Sequence, residues 1–207
     1  MGDVLTSCSG PTVGEQLIND PKIELVSFTG STKIGRHVNE TVAKRFGKTI
    51  LELGGNNAMI VHSDADLEMA LRATVFAAVG TCGQRCTTLR RLYLHEDIHD
   101  AFLEKLVAAY KTVQIGDPLK DGTLCGPLHN TLAVNNYANG LKEIEAQKGK
   151  ILIGGKVRDG PGHFVEPTLV SIDPSAPIVQ VSMTRPINYK FDHRICSMKY
   201  LLQLRTS

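Results

Sequence analysis

The sequence predicts an α/β fold with parallel strands, on three observations. Short β-rich runs alternate with helical runs, the runs close on glycine, and the helical segments repeat apolar residues every three to four positions. Ile23 to Phe28 is the first strand, stopped by Thr29-Gly30-Ser31. Ile34, Val38, Val42 and Phe46 then fall four apart on one helical face, and Gly47 supplies the C-terminal stop. Thr49 to Leu53 is the next strand, closed by Gly54-Gly55, and Ala58 to Val61 is another. This is the grammar of βαβ units in a parallel sheet covered by helices.

Ser63 to Asp66 carries an N-cap signature ahead of a long helix, in which Leu67, Ala70, Leu71, Thr74, Val75 and Ala78 keep the helical period. Gly80-Thr81-Cys82-Gly83 forces a loop, and Arg91 to His95 returns to strand. Asp97 to Val113 is an amphipathic helix carrying Ile98, Phe102, Leu106 and Tyr110. A turn at Gly116-Asp117-Pro118 and a loop through Gly126-Pro127-Leu128 follow. Beyond them lie a polar helix over 130–148 and a strand at Ile151-Leu152-Ile153, turned by Gly154-Gly155. After Pro174 the pattern is lost. Residues 175–207 hold five Lys/Arg against one acid, Asp192, with no sustained apolar period, and no element is predicted there.

The 207 residues carry formal net charge +2 and are 42% hydrophobic, enough for a core and against wholesale disorder. No apolar stretch reaches the ~20 residues of a membrane span. Without a basic run there is no electrostatic ground for nucleic-acid binding. Five cysteines (Cys8, Cys82, Cys86, Cys125 and Cys196) are too few and too spread for a disulfide scaffold, so a reducing compartment is expected, cytoplasm or mitochondrial matrix.

Three clusters carry residues suited to chemistry. In Phe28-Thr29-Gly30-Ser31-Thr32-Lys33-Ile34-Gly35, a strand gives way to a helix start that could receive a phosphate. The glycine spacing is neither that of a Walker loop nor the usual dinucleotide fingerprint, and a plain tight turn is the other reading. In Leu51-Glu52-Leu53-Gly54-Gly55-Asn56, a carboxylate stands at a strand end, where parallel sheets present ligands. It reads either as a general base beside an apolar wall or as a solvated residue. In Gly83-Gln84-Arg85-Cys86-Thr87-Thr88, a cysteine in a glycine-led loop has a cation beside it to favour thiolate. Against that stands the ordinary free cysteine that acts as a small apolar filler. Cys82 and Cys86, four apart, could close a disulfide under oxidation; a zinc site lacks a second ligand pair, and no metal is expected.

The order of these clusters resembles the NAD(P)-dependent aldehyde dehydrogenase superfamily. Glu52-Leu53-Gly54-Gly55-Asn56-Asn57, Phe76-Ala77-Ala78-Val79-Gly80-Thr81 and Gly83-Gln84-Arg85-Cys86-Thr87-Thr88 are similar to family 7, the antiquitin or α-aminoadipic semialdehyde dehydrogenase group. Tyr93-Leu94-His95-Glu96, Gly126-Pro127-Leu128-His129 and Val165-Glu166-Pro167-Thr168 extend the likeness, which covers about residues 10–173. The resemblance implies a partial Rossmann-type parallel sheet, residues 1–53, then part of the α/β catalytic domain, 54–174, with a divergent tail over 175–207. It implies Cys86 as the nucleophile that attacks an aldehyde carbon, with its backbone N–H as one oxyanion donor, and Glu52 as general base. Gly14, Gly30, Ser31, Gly35 and Leu53 would lie against the cofactor, NAD by the resemblance and with NADP left open. Arg85 and Thr87 would hold a substrate that carries its own carboxylate.

The sequence also departs from the family pattern. The lysine at the adenosine ribose and the asparagine of the oxyanion hole belong to an upstream half with no counterpart here. On Pro186, the Glu-x-Phe-x-Pro stretch aligns with Ser182 and Thr184 in place of Glu and Phe. A frame shift or wrong exon join near residue 175 would explain the irregular tail. The family's homotetramer would need a strand this chain does not show. The chain alone is therefore expected to be weakly folded with little turnover. The competing expectation is an inactive truncated isoform, or pseudoenzyme fragment, that associates with full-length subunits.

Overall fold

The computed structural model describes residues 10–180 and 198–203. The chain divides into two compact units, the first ending at Gly54 and the second beginning at Gly55. In the first, helix α1 (Pro11–Asn19) precedes strand β1 (Leu25–Gly30), helix α2 (Thr32–Lys44) and strand β2 (Lys48–Leu53). β1 and β2 pair in parallel, from Leu25 opposite Lys48 to Gly30 opposite Leu53, so the predicted βαβ unit is present. Ile18, Val38 and Val42 form its small core, with Val26, Phe28 and Leu51 packed against them.

The end of α2 departs from the predicted helical face. Val38 and Val42 are buried as expected, but Ile34 is half exposed and Phe46 is 98% exposed. The helix stops at Lys44 because the chain reverses there. Phe46 takes φ +59° and donates its N–H to the Ala43 carbonyl, while the Gly47 N–H reaches the Val42 carbonyl. That is the paired hydrogen bonding of a Schellman turn, with phenylalanine rather than glycine at the left-handed position. A four-residue repeat cannot report a backbone reversal inside its last step.

The second unit contains β3 (Asn57–Val61), α3 (Leu67–Val79), a short 3-10 turn (Gly80–Gly83), β4 (Leu89–His95), α4 (Glu96–Lys111), α5 (Thr131–Ala146), β5 (Lys150–Ile153), β6 (Leu169–Ser171), α6 (Pro177–Gln180) and β7 (Met198–Gln203). Asp66 caps α3 as its sequence signature predicts, accepting from the Glu68 and Met69 N–H groups. The sheet runs β3-β4-β7-β6-β5. β3 and β4 pair in parallel, whereas the other neighbours are antiparallel, so this sheet is mixed. β5 reaches β6 without a crossover helix, a connection that antiparallel neighbours permit and parallel neighbours do not.

The segment after 174 was expected to hold no element. β7 nevertheless fills the ladder between β4 and β6, with Tyr93 opposite Tyr200 and Val170 opposite Leu202. Backbone pairing with two neighbours sets this strand, and that signal does not depend on side-chain period. Ser182 and Thr184 lie outside the described residues, as do Cys8 and Cys196. No helix among the described residues is long and apolar enough to cross a membrane.

The core of this unit collects Leu92 and Leu94 of β4 and, as the amphipathic pattern predicts, Ile98, Phe102, Leu106 and Tyr110 of α4. The predicted polar helix, α5, contributes Tyr137 and Ile144, both fully buried. The Tyr137 hydroxyl meets Thr168 Oγ1 at 2.7 Å and donates to the Glu166 carbonyl at 2.9 Å. Thr168 Oγ1 accepts the Gly155 N–H at 2.9 Å. Burial pushes the Tyr137 phenol up to about 12.

Thr168→Val keeps the shape but strands the Gly155 N–H, and is expected to cost about 1–3 kcal/mol in urea unfolding. Because the Tyr137 phenol is raised in the fold, its contribution is complete below its unfolded value near 10 and is lost as pH rises through about 12. Urea midpoints should fall across that alkaline window, and Tyr137→Phe should flatten part of the fall.

Candidate active site

The predicted site residues fall into two groups, one in each unit. In the first unit, Ser31 caps α2: its Oγ accepts the Ile34 N–H at 3.3 Å and its carbonyl accepts the Gly35 N–H at 2.8 Å. The N–H groups of Thr32 and Lys33 then have no acceptor among the described residues, which leaves the first turn of a 13-residue helix open to an anion. Gly30 and Ser31 are exposed beside it, so a dinucleotide phosphate fits the donors present.

Gly35 is buried, and its α-carbon faces the Leu53 side chain, with no room for a Cβ between them. Its small size admits strand β2 to helix α2 and sets where Leu53 stands. Gly14 lies on an exposed face of α1, with open space around it. Helix α1 is tied to α2 by a 2.8 Å contact between Glu15 and His37, whose hydrogen bond holds the Glu15 carboxyl below its ordinary range. Glu52 is exposed at the C-terminal end of β2, opposite Thr29 in register.

In the second unit, Cys86 stands in the turn that joins the end of α3 to β4. It is exposed, as is Thr87. The turn is closed by reciprocal bonds: the Arg85 N–H donates to Thr88 Oγ1 and the Thr88 N–H to the Arg85 carbonyl, each at 3.1 Å. Asn57 fixes it from β3. One amide nitrogen, Asn57 Nδ2, donates to the carbonyl of Cys86 at 2.7 Å and to that of Thr88 at 2.9 Å. The Cys86 N–H has no acceptor among the described residues, so it is available to an oxyanion.

Arg85 is turned back on α3. Its Nη2 donates to the Phe76 carbonyl at 2.7 Å, and its guanidinium carbon lies 5.0 Å from the Phe76 ring centroid. This cation therefore also caps a helix C-terminus, a role the sequence does not announce. A Cβ at Gly80 would come within 2.7 Å of that Nη2, so a larger residue there would displace the guanidinium.

Two residues quoted in the motifs but assigned no role do much of the positioning. Asn57 is one. Gln84 is the other: its Nε2 donates to the Pro127 carbonyl at 3.1 Å and its Oε1 accepts the His129 N–H at 2.8 Å. The only sequence signal for either is a side-chain amide beside a glycine-rich turn. Cys82 and Cys86, considered as a pair, have different surroundings. Cys82 is buried and Cys86 exposed, and neither is in a disulfide.

A family model described as the aldehyde dehydrogenase family matches residues 3–189. The chain is similar to aldehyde dehydrogenase family 7 member A1 of Pisum sativum, 52% identical over 91% of this chain and 37% of the relative. It is also similar to the α-aminoadipic semialdehyde dehydrogenase of Rattus norvegicus, 47% identical over 89% of this chain and 34% of the relative. Among solved structures, a betaine aldehyde dehydrogenase double mutant from Staphylococcus aureus in complex with NAD+ superposes with a TM-score of 0.77 and 31% identity, over 81% of this chain and 35% of that one. The chain thus spans about a third of the length of the proteins it matches.

Asn57→Asp preserves shape while aiming a carboxylate at two carbonyl oxygens. The expected result is a loss of about 1–3 kcal/mol in urea unfolding. Alkylation of Cys86 should slow at neutral pH, because a nearby anion disfavours the thiolate. Iodoacetamide kinetics read on the peptide containing Cys86 check this.

Proposed function

The chain belongs to the aldehyde dehydrogenase family, and on that premise we propose that it carries the nucleophile-bearing part of an NAD(P)-dependent enzyme that oxidises an aldehyde to a carboxylic acid. The observation that supports this reading is the contrast among the described cysteines. Cys86 is exposed on a turn fixed at both carbonyls by Asn57, whereas Cys82 and Cys125 are 4% and 0% exposed.

In this mechanism the Cys86 thiolate attacks the carbonyl carbon, and the oxygen that gains charge takes a hydrogen bond from the Cys86 N–H. Holding that N–H still is the task of the 85–88 turn, since a donor aimed in advance needs no reorganisation as charge develops. Glu52 serves as general base, taking a proton from the water that releases the acyl group from sulfur. Gly30, Ser31 and the start of α2 would hold the phosphates of NAD or NADP, and Leu53 and Gly14 would lie against the rest of the cofactor. Gly35 acts through the close packing that sets Leu53. When bound, the dinucleotide supplies the acceptor for the hydride that an aldehyde must lose to become an acid.

The substrate we propose is α-aminoadipic semialdehyde, the compound in the name of the rat relative. Its carboxylate would meet Thr87 and the N–H groups of Arg85 that remain beyond the Phe76 carbonyl.

Ester hydrolysis tests the nucleophile without requiring a cofactor. With a chromogenic ester, Cys86→Ala should abolish turnover, and Glu52→Gln should lower it by about 10²–10⁴ through slower deacylation. Equal hydrolysis by the wild-type chain and Cys86→Ala would overturn the assignment.

A further inference from the structure

The peptide that carries Asn57 lies at an irregular point of the sheet. Asn57 pairs with Leu89, but the next residue of β3, Ala58, pairs with Arg91, so Arg90 is an extra residue on the β4 side. A bulge of this kind disrupts the ladder locally, and ladder bonds alone do not fix the backbone there. Side chains do so instead. Arg91 reaches back from β4 and donates to the Asn56 carbonyl through Nε at 3.1 Å and Nη2 at 2.8 Å. Its Nη1 donates to the hydroxyl of Tyr93 at 3.5 Å, two residues on along the same face of the strand. On the other side, Asn56 Nδ2 donates to the carbonyl of Val179 in α6 at 2.8 Å. Asn56 is thus held at both its carbonyl and its side chain.

The Asn56 carbonyl and the Asn57 N–H belong to one planar peptide, so a fork that fixes the oxygen also fixes the plane from which Asn57 departs. From that plane the Asn57 amide reaches the carbonyls of Cys86 and Thr88. We propose that Arg91 is a positioning residue for the Cys86 turn, acting through the Asn56–Asn57 peptide. Its kinetic consequence rests on the reading of Cys86 as nucleophile: a turn that wanders carries the Cys86 N–H off the line of the developing oxyanion. Two charged N–H donors on one oxygen hold it more firmly than a neutral donor does, and a lysine ammonium cannot present that fork. The competing account gives Arg91 only the task of satisfying one carbonyl, with no effect beyond Asn56.

Arg91→Met keeps an unbranched stem and removes every donor. In the full chain, the Thr88 N–H closes the turn on the Arg85 carbonyl, and its hydrogen exchange, read by NMR, should become about tenfold faster in this variant. The kcat of chromogenic-ester hydrolysis should fall about 10–100-fold, with KM unchanged. If Arg91→Met does not fold, Arg91→Lys carries the same comparison, with a smaller loss in both readouts. Because Arg91 acts through Asn57, adding Arg91→Met to Asn57→Ala should cost nothing further in either readout. Full additivity in the double variant, or wild-type exchange at Thr88 in the single one, would overturn the inference. Cys86→Ala is measured beside them. Ester turnover equal to the wild type in that variant removes the nucleophile, and Thr88 exchange then decides the role of Arg91 by itself.

Discussion

Much of the second unit's chemistry depends on one primary amide. Asn57 Nδ2 spends its two hydrogens on the carbonyls of Cys86 and Thr88, and with them it sets the plane of the peptides around Cys86. An isolated four-residue turn has few internal bonds and would sample several conformations; a donor delivered from a neighbouring strand removes that freedom. β3 can deliver it because β3 and β4 are parallel neighbours, with Asn57 opposite Leu89 at the start of β4. The glycine two residues earlier belongs to the same arrangement. A Cβ at Gly55 would come within 2.9 Å of Asn57 Oδ1 and 3.5 Å of the Cys86 carbonyl oxygen.

The same economy recurs around the turn. Arg85 stacks on Phe76 and caps α3, Gln84 spans to Pro127 and His129, and Arg91 donates through Nε and Nη2 to the Asn56 carbonyl. Arg85, which reads as a candidate for substrate contact, thus also serves a backbone group at the end of α3. Buried polar groups need partners, and a turn wedged between a helix end and a strand start has many. The first unit has a simpler design. A capped helix start with free N–H groups follows a parallel strand, and Gly35 keeps β2 close enough for Leu53 to pack beneath it.

Much of this was legible in the residues. The Asp66 cap, the α4 face and the βαβ unit around α2 follow from spacing that local physics enforces, since a 3.6-residue period must bury one face. The exposed cysteine in a glycine-led loop was legible because glycine, arginine and cysteine together describe a place on the surface. Other features were hidden for reasons equally physical. Phe46 sits at a helix reversal that its hydrophobicity contradicts. β6 is only three residues long, and β7 owes its place to partners on both sides. Tyr137 and Ile144 lie in a helix whose composition reads as polar, because a few large side chains are enough to seat it.

The sequence by itself determined which residues can do chemistry and the family to which the chain belongs, because motif order and residue type are properties of the linear chain. Which of those side chains are free to act was decided only in three dimensions. The bonds of Asn57 to Cys86 and Thr88, and of Gln84 to Pro127 and His129, depend on neighbours distant in the chain. Hydrogen-bond donors act over a few ångströms, and only the packed fold brings residues 57 and 86, or 84 and 129, within that reach.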